Sequence, residues 1–135
     1  MSRILKNWMV AAILMAMGMM AQAQRIAVIC DIHVTPGNAN ESKLREVVSQ
    51  INQSDADVVV FAGDLTNEGS DEQLRNVKTI IDGLTKPVYV IPGNHENTWS
   101  QSACKTFNDI WGQDRFVFNM GKLLVVGMTC GPFMK

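Results

Sequence analysis

The sequence has no large excess of charge of either sign: 12 Lys and Arg stand against 13 Asp and Glu, a formal net charge of −1. It therefore lacks the basic surplus with which a general nucleic-acid binder neutralises phosphates, and no specific nucleic-acid binding is expected. Cysteine is scarce. Cys30, Cys104 and Cys130 are too few to pair completely, and none has the CxxC spacing of a structural zinc knot. At most one internal disulfide is open to them, with its connectivity unassigned; Cys30, in an apolar run, and Cys130, just after another, read as small buried residues. Internal repeats, low-complexity tracts and charge blocks are missing, and at 135 residues one domain is expected.

Long apolar runs are also missing, with one exception at the start. Arg3 and Lys6 precede the run from Trp8 to Met20, and Ala21-Gln22-Ala23 follows in the small-x-small pattern that a signal peptidase accepts. The run falls short of the roughly 20 residues needed to cross a bilayer, and no cysteine follows it at a position suited to lipid attachment. Residues 1–23 therefore read as a cleaved signal peptide, with the mature chain starting at Gln24. This predicts export to the periplasm or the outside, with no stable membrane span.

The remainder alternates short β-branched runs with helical periodicity. Arg25-Ile26-Ala27-Val28-Ile29-Cys30 predicts a buried strand, ended by Asp31 and the Pro36-Gly37-Asn38 loop. Leu44, Val47, Val48 and Ile51 recur at helical spacing over 41–53. Asp57-Val58-Val59-Val60-Phe61-Ala62 is almost continuously apolar, as a parallel strand covered on both faces should be. Ser70 followed by Gln73 marks the start of a second helix with Leu74, Val77, Ile81 and Leu84 inward, ending near 83–85. Pro87-Val88-Tyr89-Val90-Ile91 is the third strand, closed by Pro92-Gly93. Residues 25–91 thus read as β-α-β-α-β, and right-handed crossovers make the strands parallel. A short helix over 102–111 and a hairpin, 115–119 and 123–127, complete the reading.

Polar residues just past the carboxyl ends of parallel strands project into a common crevice. Here the first strand leads into Asp31-Ile32-His33, the second into Gly63-Asp64 and the third into Gly93-Asn94-His95-Glu96. Both histidines of the chain lie in these segments. Carboxylate, imidazole and amide oxygen donors without thiolates suit a catalytic divalent first-row metal. Thr66, Asn67 and Trp99 flank the crevice, where they could touch substrate, and read first as turn formers and a packed aromatic.

Asp31-x-His33, Gly63-Asp64 and Gly93-Asn94-His95-Glu96 resemble the first three motifs of the calcineurin-like metallophosphoesterases, and the resemblance spans the chain from about Arg25. It implies a metallo-dependent phosphatase-like α/β/β/α sandwich, incomplete here as β-α-β-α-β plus the start of a second sheet. It implies two divalent metal ions and hydrolysis of phosphate mono- or diesters by a metal-bridging hydroxide. By position, Asp31 and His33 would hold the first metal, Asp64 would bridge both, and Asn94 would bind the second. His95 would be catalytic, protonating or stabilising the leaving alkoxide, with Glu96 orienting its imidazole. Asn67 stands where the purple acid phosphatase branch carries a metal-binding tyrosine, which leaves Mn, Zn or ferrous Fe rather than a tyrosinate-iron site.

The family pattern continues with a further histidine and a Gly-His-x-His segment, and no histidine follows His95. Residues 24–135 are therefore expected to be the N-terminal part of such a domain, missing its C-terminal half and inactive by themselves. The alternative is a catalytically dead ligand-binding or interaction protein with the same fold.

Overall fold

The computed structural model describes Trp8 and residues 23–100 and 102–129. Most of the expected signal peptide, and Cys130, lie outside the described residues. The order of elements is β1 (Ile26–Ile29), α1 (Ala39–Gln53), β2 (Val58–Ala62), α2 (Asp71–Ile81), β3 (Val88–Ile91), α3 (Asn94–Asn97), α4 (Lys105–Trp111), β4 (Arg115–Met120) and β5 (Leu123–Met128). The chain is mixed α/β, with β1, β2 and β3 parallel in that order and β4–β5 an antiparallel hairpin. All of these elements except the one-turn α3 match the sequence expectation to within a few residues.

The apolar run of β2 is explained by its place at the centre of the sheet, because successive side chains of a strand point to opposite faces. Val59 and Phe61 enter a core with Leu44, Val48 and Ile51 of α1, Leu74, Val77, Ile80 and Ile81 of α2, and Phe107 of α4. Val58 and Val60 pack on the other side with Met120, against Phe116 and Phe118 of the hairpin. Tyr89 of β3 joins this layer, stacked on Phe118 with ring centroids 4.0 Å apart. Helices, parallel sheet and hairpin therefore form successive layers. The far face of the hairpin presents Val117, Leu124, Val126 and Met128 to solvent.

Both long helices begin on side-chain caps. Asn38 accepts from the Glu41 N–H at 2.9 Å, and Ser70 from the Gln73 N–H at 3.3 Å. The Asn38 cap starts α1 two residues earlier than its apolar spacing indicates. Among the described residues no helix is long and apolar enough to cross a membrane.

The two described cysteines sit differently. Cys104 is buried, and desolvation pushes its thiol up to about 11. Cys30 is exposed rather than buried, because β1 stops at Ile29 and the backbone then turns. The Asp31 carboxylate, accepting its S–H, raises the Cys30 thiol above its ordinary range.

Candidate functional site

The three strand ends are laced together by backbone hydrogen bonds that continue the β1–β2 ladder past the strands. The Asp31 N–H donates to Gly63 C=O at 3.2 Å, His33 N–H to Asp64 C=O at 3.1 Å and Val34 N–H to Leu65 C=O at 2.9 Å. The pairing ends in an isolated parallel bridge between Val34 and Thr66, both fully buried. Along this stretch Asp31, His33 and Asp64 all have left-handed backbones, with φ of 55°, 44° and 50°. Each such conformation costs about 1–2 kcal/mol in a residue with a Cβ, and clusters of them mark functional loops.

The β2 and β3 ends approach closely. A Cβ on Gly93 would lie 2.0 Å from Asp64 Oδ1 and 2.3 Å from the Asp64 nitrogen, so only glycine fits there. Asp64 Oδ1 also accepts from the His95 N–H at 3.3 Å, which ties the carboxylate to the turn that carries the second histidine.

This lacing brings one donor atom each of His33, Asp64 and His95 within 4.8 Å of one another. The imidazoles meet edge to face, with centroids 4.6 Å apart. A divalent ion about 2.0–2.2 Å from each donor would place two of them no more than about 4.4 Å apart. The observed spread is close to that limit, and two imidazoles with a carboxylate are a donor set for a first-row divalent metal. The residues thus fit a metal ion.

Of the expected ligands, His33 and Asp64 lie in this group. Asp31 lies outside it, and its residue is exposed. Asn94 opens α3 directly before His95. His95, expected as a catalytic group apart from the ligands, converges with them.

The role expected for Glu96 is corrected. Adjacent residues on a helical turn do not face each other, so Glu96 points inward while His95 faces the crevice. Fully buried, Glu96 accepts from the Thr66 N–H at 2.9 Å, the Thr66 hydroxyl at 2.7 Å and the Gly93 N–H at 2.9 Å. It staples the loop after β2 to the turn after β3. The imidazole is oriented instead by the Asn67 carbonyl, 2.6 Å from Nδ1. A carbonyl only accepts, so Nδ1 carries a proton and Nε2 is left for chemistry.

Trp99 departs from its expectation as a packed aromatic. It is 62% exposed and lies against the His95 ring, centroids 4.1 Å apart. Sequence reasoning missed the Asn67 carbonyl, since a backbone contact leaves no signature in residue type. The Thr66–Glu96 pair had a faint signal: a threonine and a glutamate in segments that fold into the interior.

Residues 24–128 match the family described as calcineurin-like phosphoesterase. Among curated proteins, a probable cyclic nucleotide phosphodiesterase of Vesicomyosocius okutanii is 27% identical over 106 residues, covering 75% of this chain and 43% of the relative. The glycerophosphodiester phosphodiesterase GpdQ of Enterobacter lignolyticus is 37% identical over 68 residues, 49% of this chain and 22% of that protein. A probable glycerophosphodiester phosphodiesterase of Arcobacter nitrofigilis is 46% identical over 41 residues, 30% of this chain and 15% of that protein. The chain spans less than half the length of each of these relatives.

Proposed function

We propose that this chain, which belongs to the calcineurin-like phosphoesterase family, hydrolyses phosphate mono- or diesters in its full-length form, using two divalent ions held in part by Asp31, His33, Asp64 and Asn94. The observation that carries this reading is the convergence of His33, Asp64 and His95 within 4.8 Å at the ends of three successive strands. Family membership makes the site metal-dependent, and a bound divalent ion would supply Lewis-acid charge and water acidified towards neutrality. The three relatives described above are phosphodiesterases, which favours diesters over monoesters.

The chain's own residues position the chemistry. Asp64 is held by the His95 N–H and by close contact with Gly93, so its carboxylate keeps one place between the strand ends. With Nδ1–H fixed on Asn67, His95 keeps Nε2 for the reaction, and as an imidazolium it would hand the Nε2 proton to a leaving oxygen. Asp31, His33, Asp64 and Asn94 offer fewer donors than two catalytic ions use, so further donors come from elsewhere in the full-length protein. Export rests on the basic, apolar and small-x-small order of residues 1–23.

The test is hydrolysis of bis(p-nitrophenyl) phosphate by the full-length protein before chelation, after it, and after manganese is restored. Loss and recovery of turnover with the metal support the proposal. Binding of phosphoesters without turnover in any metal would favour a ligand-binding protein instead.

A further inference from the structure

We propose that Trp99 is a stacking platform at the rim of the site, selecting phosphoesters whose organic group carries a flat, uncharged aromatic ring such as a nucleobase or a phenyl group. This deepens the phosphoesterase reading and rests on it. The indole is 62% exposed, although a tryptophan left in water forgoes the large stabilisation its burial would bring. A loose segment does not account for that exposure. The Trp99 N–H donates to Asn94 C=O at 3.2 Å, and the next residue, Ser100, is buried.

The ring is held on the reaction centre itself. It lies 4.1 Å from the His95 ring, tilted by 54°, and His95 in turn meets His33 at 4.6 Å. Three rings therefore run from the donor cluster outward. An ester whose phosphorus sits at the cluster would lay its organic group along Trp99. A cationic head group could also use an indole face. Here, however, that group would lie beside an imidazole and the charge of bound metal, which favours a neutral ring.

Two non-hydrolysable ligands with the same charged head separate the ring from the phosphorus: phenylphosphonate and propylphosphonate. Calorimetric titration of both into the metal-loaded full-length protein should show the phenyl compound bound about 5–10-fold more tightly. In Trp99→Ala that ratio should fall close to one, and in Trp99→Phe most of it should remain. No preference in the wild type, a ratio unchanged in Trp99→Ala, or equal weakening of both ligands would overturn the proposal, the last showing that the indole only supports His95. Binding of neither phosphonate would overturn it as well. Failure of the underlying site assignment reads out separately, as binding of both phosphonates that Asp64→Asn leaves unchanged.

Discussion

Replacing Glu96 by glutamine tests whether this residue acts on His95 or on the framework. Its two oxygens receive three donors, the Thr66 N–H and hydroxyl on one and the Gly93 N–H on the other. Glutamine keeps the volume and one acceptor, so the Thr66 side can be retained. Its amide NH2 must then face the Gly93 N–H, leaving two donors opposed in a site with no exposure to water. A hydrogen bond to a carboxylate contributes about 1.5–3 kcal/mol, and a buried donor left unpaired costs a comparable amount. A net loss of about 2–3 kcal/mol is expected, or about 7–13 °C in Tm for a domain of this size. Thermal unfolding followed by circular dichroism measures it. Thr66→Val removes the hydroxyl that also accepts from the Gly69 N–H at 3.0 Å, and its cost should not add fully to that of Glu96→Gln. The reasoning is refuted if Glu96→Gln melts within about 2 °C of the wild type while turnover drops about a hundredfold.

Gly93→Ala should be more disruptive than its single methyl suggests, because the atoms it meets include the Asp64 backbone nitrogen at 2.3 Å. Overpacking of this kind costs about 1–3 kcal/mol, and metal affinity should fall with it as Asp64 is displaced; a variant that binds manganese like the wild type would contradict the packing described. Cys104, held near 11 by burial, favours the folded state while its thiol stays protonated. Because the unfolded thiol loses its proton first, near 8.5–9, that contribution is complete below this range and is lost as pH rises towards 11. Urea unfolding of the wild type and of Cys104→Ala between pH 7 and 11 measures it. A wild-type stability that falls no faster than the variant's would count against it.

The fold was legible where one physical requirement dominates. A run of apolar residues in β2 has only one comfortable position, between two covered faces, and the structure buries Val58, Val59, Val60 and Phe61 there. The strand-end motifs were legible because parallel strands deliver their carboxyl ends to one crevice, where donor atoms of His33 and Asp64 lie within 4.8 Å of each other. What escaped was direction within a turn. Glu96 follows His95 in sequence, yet a helical turn points the two apart. Cys30 continues an apolar run, yet the left-handed backbone at Asp31 ends the strand and leaves the thiol outside. Exposure of Trp99 was equally hidden, since the same residue type serves cores and binding surfaces.

The most direct measurement of the central claim is metal content alongside bis(p-nitrophenyl) phosphate turnover in the full-length protein and its Asp64→Asn and His95→Ala variants. Asp64→Asn should lose metal and activity together, whereas His95→Ala should keep its metal and slow by about 10²–10⁴-fold, as removal of a general acid does. Unchanged turnover in both variants would contradict the site described here.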